Sequence, residues 1–87
     1  MHINTIKIEE IWVSFDIKNV VSTNKNGSKE NEVQAVATFS KAGEEIHKIY
    51  NLGNFDYCAK LLDNEFAKAE AKAMIDSANR SAHSPFK

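Results

Sequence analysis

The segment "IEEIWVSFDI", residues 8–17, carries the pattern that decides the fold. From Ile11 onward, apolar residues occupy every second position, namely Val13, Phe15 and Ile17. This period of two is typical of a β-strand with one face toward a core. Trp12, the only tryptophan of the chain, falls on the other side of the alternation. The segment therefore predicts a half-buried strand whose open face carries a large aromatic side chain.

The apolar side of the alternation changes register just before this strand. It falls on the even positions Ile6 and Ile8 and moves to odd positions from Ile11. One extra residue in a β-bulge at Glu9-Glu10 would produce such a change. We therefore predict one long strand over residues 11–22, preceded by a short N-terminal strand or arm.

Two further strands follow along the chain. Residues 23–32, "TNKNGSKENE", contain no apolar residue and include Asn26-Gly27, so they are predicted to form a flexible hairpin loop. The alternating run "VQAVATFS" occupies residues 33–40, and "EEIHKIYNL" occupies residues 44–52. Sequential strands joined by short turns predict a three-stranded antiparallel β-meander.

A C-terminal helical region completes a predicted α+β fold. Residues 55–82 favour helix, and either Asn54 or Asp56 is placed to cap its start. A single helix of that length would extend roughly 40 Å, which is more than a small sheet needs. The sequence leaves two alternatives, one long helix or two helices broken near Asp63-Asn64, packed on one face of the sheet. Residues 83–87 are predicted to be a frayed tail.

Projected as one continuous helix, this region carries two apolar seams. The seam predicted to cover the sheet consists of Phe55, Cys58, Ala59, Leu62, Phe66, Ala69 and Ala73. A second seam, rotated by roughly 150°, consists of Ala67, Ala71, Met74, Ile75, Ala78 and Ala82. Small residues permit a neighbouring helix to approach, so Met74 and Ile75 are candidate partner-binding residues. The helix propensity of alanine alone is the alternative explanation.

The open face of the sheet supplies the other candidate binding residues. If Ile11 and its alternating partners face the helix, Trp12 and Asp16 face away, and Val36 joins them from the second strand. Tryptophan is the residue type most enriched among binding hot spots. The competing interpretation is that the N-terminal arm or Phe86 folds back over the indole.

Composition limits the class of protein. The 87 residues predict one domain, and 11 Lys+Arg against 12 Asp+Glu, interleaved along the chain, give no basic footprint for nucleic acid. The sequence contains no apolar run of membrane-spanning length. A single cysteine, Cys58, and no secretory signal predict a cytoplasmic protein, in the host cytoplasm if the gene is a phage's.

The sequence shows no set of residues that would carry a reaction. His2, His47 and His83 are far apart and have no metal-ligand spacing with Cys58. Adjacent carboxylates such as Glu44-Glu45 point to opposite faces of a strand. Cys58 lies on the predicted core seam, where a buried thiol is inert. We therefore expect no catalytic residue, metal or cofactor, and not an enzyme.

Three strands followed by a helix containing "AKAEAKA", residues 67–73, resemble in outline the second part of a double-stranded RNA-binding domain. The resemblance implies a lysine cluster that holds phosphates at the start of the final helix. Here Asp56 and Asp63 stand in that region, and the family's initial helix is missing. The large electrostatic part of RNA binding is therefore lacking, and nucleic acid remains a minor alternative.

In scale and outline the chain is similar to the small inhibitors that bacteriophages make against host defences, including anti-CRISPR proteins. That similarity implies a non-enzymatic module that binds a host protein or defence complex and blocks it sterically. The alternative is a homo-oligomeric structural or accessory protein, in which the second helical seam or the open sheet face pairs with its own copy.

Overall fold

A computed structural model describes residues 1–86 as a four-stranded antiparallel sheet followed by two helices. The strands are β1 (His2–Ile8), β2 (Ile11–Thr23), β3 (Lys29–Lys41) and β4 (Glu44–Ile49), and the helices are α1 (Phe55–Lys60) and α2 (Asn64–Asn79). The strand order β1-β2-β3-β4 is a simple meander. The predicted α+β class is confirmed, and the optional N-terminal strand is present as β1.

The register change near Glu9 arises from a hairpin turn, so the predicted β-bulge is wrong. Ile8 pairs with Ile11, and Ile6 pairs with Val13, across a two-residue turn in which Glu9 has a φ of 54°. Residues that face each other across such a turn share one side of the sheet. The parity of the apolar positions therefore changes from even to odd without an extra residue in either strand.

The β2–β3 hairpin is longer than the sequence predicted. Pairing continues to Thr23 and Lys29, so only residues 24–28 of the predicted loop 23–32 form the turn. Asn24 organises this turn, because its side-chain oxygen accepts from the backbone N–H groups of Asn26 and Ser28 at 3.0 Å each. Because the residues of this turn have no apolar contacts, these local hydrogen bonds stabilise its conformation.

The outer part of this hairpin projects beyond the rest of the sheet. β1 pairs with β2 as far as Asp16, and β4 pairs with β3 as far as Ala37. In the described chain, residues 18–23 and 29–34 therefore pair only with each other. We call these two segments the ribbon, and with it the molecule measures 45 Å along its longest axis.

The core lies between one face of the sheet and the two helices. Its fully buried side chains are Val13, Phe15, Ala35, Ala37, Phe39, Leu61, Ala67 and Ala71. Phe86 also packs against this layer, with its ring centroid 5.2 Å from that of Phe39 in an edge contact. The prediction of a frayed tail therefore does not hold for Phe86, while Lys87 lies outside the described residues.

The helical region consists of two helices broken near Asp63-Asn64, which is one of the two predicted alternatives. Asp63 caps α2 by accepting from the backbone N–H groups of Glu65 at 2.9 Å and Phe66 at 3.2 Å. From β1, the Asn4 side-chain amide donates to the Leu61 carbonyl at 3.1 Å and to the Asn64 side chain at 2.8 Å. Asn4 thus satisfies a carbonyl at the end of α1 and ties the break to the sheet. Asn54 caps α1 by accepting from the Tyr57 N–H at 3.1 Å.

Because of the break, the side of α2 that faces the sheet is the opposite of the predicted one. The side chains of α2 that are buried in the core belong to the predicted outer seam, namely Ala67, Ala71 and Ile75. Conversely, Phe55 and Leu62 of the predicted sheet-facing seam are 65% and 66% exposed. A continuous projection fails because a new cap restarts the helix with a different phase. Two members of the first seam do face the core: Cys58 has 1% of its surface exposed, and Phe66 packs partly buried against the core cluster.

Candidate functional site on the open face of the sheet

The open face is the side of the sheet away from α1 and α2, and strand pairing arranges its side chains in cross-strand rows. One row consists of Lys7, Trp12, Ser40 and Glu45, and the next of Thr5, Ser14, Thr38 and Lys48. A third row consists of His2, Asp16 and Val36. Side chains in one row are close enough to interact, so the face is a continuous, largely polar surface with Trp12 on an inner strand.

Trp12 occupies the open face as the alternation predicted. Its side chain is 46% exposed, and the Lys7 ammonium lies 5.3 Å from its ring centroid. Phe86 does not cover it, because Phe86 packs against Phe39 on the opposite face. The indole therefore has one ring contact with a cation and almost half of its surface available to a partner.

Tyr50 is a second aromatic residue of this face that sequence reasoning missed. It follows directly after β4, is 54% exposed, and has the Lys18 and Lys48 ammonium groups each 5.8 Å from its ring centroid. The sequence did contain a signal for its position: Tyr50 lies two residues after Lys48, and residues two apart in a strand share a face. Two lysine–aromatic clusters thus occupy different parts of the open face.

Asp16, also predicted as a binding residue, is already engaged by its neighbours. One carboxylate oxygen lies 3.2 Å from His2 Nδ1, and the other accepts from the Ser14 hydroxyl at 3.2 Å. His2 Nε2 lies 2.9 Å from the Thr5 hydroxyl. Hydroxyl, imidazole and carboxylate in this order have the connectivity of an acyl-transfer relay. The His2 and Asp16 side chains are 53% and 40% exposed, however, so water competes for every contact.

The same cluster has a structural role at the start of β1. The pairing of β1 with β2 is irregular between His2 and Asn4. Beyond that irregularity the Met1 ammonium donates to the Ile17 carbonyl at 2.9 Å, and the Ile17 N–H donates to the Met1 carbonyl at 2.6 Å. The His2–Asp16 contact spans the gap between these bonds and the regular ladder, and it holds the chain terminus on β2.

The five residues predicted to bind a partner do not form one site. Trp12, Asp16 and Val36 share the open face, but Val36 is only 7% exposed and forms the floor between its neighbours. Ile75 is buried in the core cluster and Met74 packs against it, on the other side of the sheet. The prediction of an outer seam at these two residues is wrong, since their apolar surface is used within the chain.

Two titratable groups in the helical layer have shifted pKa values. Burial raises the pKa of the Cys58 thiol. Burial, and then the hydrogen bond that Tyr57 donates to Glu70 at 3.0 Å, raise the pKa of the Tyr57 hydroxyl. Both groups are therefore held in their neutral forms, and a protonated thiol is a poor nucleophile.

Residues 1–86 lack both a cluster of metal-ligating side chains and a membrane-spanning helix. No group of three or more His, Cys, Asp or Glu side chains is placed to hold a metal ion. In the same part of the chain, neither helix has the length and apolar character needed to cross a membrane.

A second exposed surface lies on the helix side, between α1 and the start of β1. We call it the α1 groove. It has a volume of about 200 Å³ and is lined by Met1, His2, Ile3, Ile17, Phe55, Cys58, Ala59 and Leu62. Seven of these eight residues are apolar. Sequence reasoning missed the groove because it predicted Phe55 and Leu62 to be covered by the sheet.

The charges of the open face are unevenly paired. Glu45 forms an ion pair with Lys48 at 3.5 Å, and Asp16 pairs with His2. Lys7 and Lys18 form no ion pair with any residue in the described range 1–86.

Comparisons with protein-family models, with curated proteins and with solved structures found no match to this chain. The geometry and charge of the open face are therefore the basis for assigning a function.

Proposed function

We propose that this protein is a non-enzymatic protein-binding module that docks its open sheet face onto a carboxylate-rich surface of a partner protein. The observation that carries the proposal is the half-exposed indole of Trp12 with the Lys7 ammonium 5.3 Å from its ring. An exposed tryptophan on a paired strand offers a large contact area that is already held in place.

The surroundings of Trp12 suit a docking surface. β2 is an inner strand, with β1 and β3 hydrogen-bonded on either side, so the indole stands on a rigid base. Hydroxyl groups of Ser14, Thr38 and Ser40 lie in the same and adjacent rows. An apolar anchor surrounded by groups that can donate and accept hydrogen bonds is the usual composition of a protein–protein contact.

Charge favours an acidic protein as the partner. Lys7 and Lys18 have no ion pair within residues 1–86, whereas Glu45 is paired with the Lys48 ammonium and Asp16 already has His2 and Ser14 as polar neighbours. The open face can thus attract carboxylates from a partner and orient them. Nucleic acid is less favoured, because four carboxylates of the face, those of Asp16, Glu45, Glu30 and Glu32, would lie near its phosphates and the chain has a net charge of −1.

The mechanism we propose is steric occlusion. Four strands at a spacing of about 4.8 Å make a face roughly 15 Å wide, which is enough to cover a partner's working surface. Small phage-encoded inhibitors such as anti-CRISPR proteins act at this scale, and the size of the chain is what supports placing it with them. A partner would therefore lose its activity in proportion to the fraction bound.

The proposal can be tested by crosslinking followed by titration. A photo-reactive amino acid at Ser40, in the same row as Trp12, would capture the partner for identification by mass spectrometry. The purified partner would then be titrated with the wild type, Trp12→Ala and Lys7→Glu. Trp12→Ala should raise the Kd by about 30-fold, which corresponds to about 2 kcal/mol. Lys7→Glu should have a smaller effect that weakens as salt is added.

The matched control is Leu62→Ser, an exposed apolar residue on the opposite side of the molecule. Its affinity for the captured partner should equal that of the wild type. Equal affinity of Trp12→Ala and the wild type would refute the proposal. So would capture that is abolished by nuclease, together with salt-dependent binding of an RNA oligonucleotide, since these would identify nucleic acid as the ligand.

A further inference from the structure

We infer that the outer edge of β3 in the ribbon is a peptide-binding site, which takes an extended, basic segment of another protein as an added β-strand. The site is a cleft of about 520 Å³ between residues 31–34 of β3 and the chain that connects β4 to α1. Because the cleft lies at an edge of the sheet and not on the open face, the inference does not depend on the proposed function.

Unpaired backbone groups of β3 specify an extended conformation for the occupant. The Ala35 carbonyl accepts from the Leu52 N–H at 3.2 Å, so Ala35 directs its backbone groups toward the side of β4. Alternate residues of a strand direct theirs to the same side, so the backbone groups of Val33 and Asn31 also point there, beyond the end of β4. Within residues 1–86 these groups have no backbone partner on that side. An added strand would pair with them and continue the sheet where β4 stops.

The cleft adds a second wall to this edge. Asn51, Asn54 and Phe55 line the wall opposite β3, and Gln34 and Asn31 line the wall formed by β3 itself. Carboxamide side chains thus occur on both walls, and such groups donate and accept hydrogen bonds as a peptide group does. A bound strand would therefore meet polar groups suited to its backbone on both sides.

Side chains on the helix side of the cleft specify an apolar residue in the occupant. Val33 is partly buried there, and Phe55 lines the same cleft with 65% of its surface exposed. A residue that lies opposite Val33 in an added strand has its side chain on the same side of the sheet, where it would cover both. Lys29 of the ribbon and Asp56 of α1 carry opposite charges on this side, so they favour neither sign of ligand.

Charge on the other side of the cleft specifies basic residues in the occupant. Glu30 and Glu32 point to the open side of the ribbon, and neither forms an ion pair within residues 1–86. Lys18 is diagonal to Glu32 across the strand pair, but its ammonium lies over Tyr50, 5.8 Å from the ring centroid. Lysine or arginine at alternate positions of an added strand would lie opposite these carboxylates and pair with them. The occupant is therefore a segment in which apolar and basic residues alternate.

The first test uses a short, fluorescently labelled synthetic peptide in which valine and lysine alternate. Fluorescence anisotropy with the full chain should detect binding below about 1 mM, and the same peptide with glutamate in place of lysine should bind at least about tenfold more weakly. Two further peptides carry methyl groups on alternate backbone nitrogens, one on the odd positions and one on the even positions. A strand added at one edge presents alternate N–H groups to its neighbour, so one of these peptides should lose at least about tenfold in affinity and the other much less.

A charge reversal in the protein tests the acidic side of the cleft. Glu32→Lys should weaken binding of the lysine peptide by at least about threefold and strengthen binding of the glutamate peptide. The matched control is Glu10→Lys, which changes the net charge equally but lies at the end of β2 farthest from the ribbon. This variant should bind both peptides as the wild type does. Circular dichroism would verify that both variants are folded.

Hydrogen exchange locates the bound peptide on the ribbon. With the lysine peptide bound, the amide protons of Asn31 and Val33 should exchange more slowly than in the free chain. Those of Asn19 and Val21, on the β2 edge of the ribbon, should exchange at an unchanged rate. The β2 edge is thus an internal control for the same measurement.

No binding of the lysine peptide below about 1 mM would overturn the inference, as would equal losses from the two methylated peptides. Slower exchange at Asn19 and Val21 in place of Asn31 and Val33 would also overturn it. Trp12→Ala should bind the lysine peptide as tightly as the wild type. Failure of the peptide to bind therefore leaves the proposed function intact, and loss of Trp12-dependent partner binding leaves the peptide site intact.

Discussion

The two faces of the sheet come from the same strands and differ in almost every physical respect. On the covered face, Val13, Phe15 and Phe39 are fully buried beneath the helices. On the open face, the alternating positions carry hydroxyl groups such as Ser14 and Thr38, with Trp12 as a half-exposed aromatic residue. The covered face is where burial stabilises the fold, and the open face is where surface remains for binding.

This difference shows that the alternation predicts which face of the sheet a side chain occupies. It does not predict whether that face is buried in the core or exposed for binding. Phe39 and Trp12 lie on adjacent strands, and both are large and aromatic. The position of the helices alone makes one a core residue and the other a candidate anchor. Substitutions on the two faces should therefore differ sharply in their effect on the free energy of unfolding.

The largest loss is expected on the covered face, from Phe39→Ala. Phe39 is fully buried and contacts the ring of Phe86 at 5.2 Å between centroids. Truncation leaves a cavity, so the free energy of unfolding should fall by about 3–5 kcal/mol, measured by urea denaturation. A loss below about 1 kcal/mol would mean that the covered face is not the core.

The next prediction tests which side of α2 faces the sheet, using a matched pair of alanine-to-leucine substitutions. Ala71 is fully buried against the sheet, whereas Ala69 is exposed. Ala71→Leu should overpack the core and reduce the free energy of unfolding by about 1–3 kcal/mol, while Ala69→Leu should be nearly neutral. The reverse result would restore the faces that a continuous helix projection predicts.

The strands could be predicted from the sequence because their signal is local. Alternation over Ile11–Ile17 gives both the strand and its inward face, and Asn54 was one of two capping candidates for α1. The placement of Trp12 on the open face follows from the same alternation. These features depend on neighbours within a few residues, which sequence patterns record directly.

The helix phase could not be predicted, because it depends on contacts between distant parts of the chain. Asn4 is 57 positions from Leu61, whose carbonyl accepts a hydrogen bond from its side chain. Together with the Asp63 cap, this contact ends α1 and lets α2 begin in a new phase. The side of α1 that faces the core carries Cys58 and Leu61, which leaves Phe55 and Leu62 exposed beside the α1 groove. Tyr50 could have been predicted, since it falls inside the predicted strand 44–52 on the same side as Lys48.

A smaller effect is expected at the break itself, from Asp63→Ala. This change removes the side chain that accepts from the N–H groups of Glu65 and Phe66. Loss of such a cap costs about 1 kcal/mol, which denaturant unfolding resolves. Asp63→Asn should retain most of the stability, because asparagine is an equally good cap. If both variants lost the same amount, the role of Asp63 would be its charge.

The helical layer should also make stability depend on alkaline pH. Because folding raises the pKa of Tyr57, the folded state keeps its proton where the unfolded state has lost it. Stability is therefore fully present below the unfolded value of about 10 and declines as pH rises above it. Melting temperatures from pH 8 to 11 should fall less steeply for Tyr57→Phe than for the wild type. Carrying Cys58→Ala in both proteins removes the neighbouring thiol, which interacts with Tyr57, from the comparison.

The smallest change in stability is expected for Trp12→Ala, on the open face. Its indole is 46% exposed, and its defined partner is the Lys7 ammonium, an exposed cation–π contact worth about 0.5–1 kcal/mol. Urea denaturation should show a loss of at most about 1 kcal/mol, several times less than for Phe39→Ala. If Trp12→Ala instead cost as much as Phe39→Ala, the indole would be a core residue and the two faces would no longer differ. A small loss of stability, combined with a large loss of partner affinity, would separate the use of this residue from the stability of the fold.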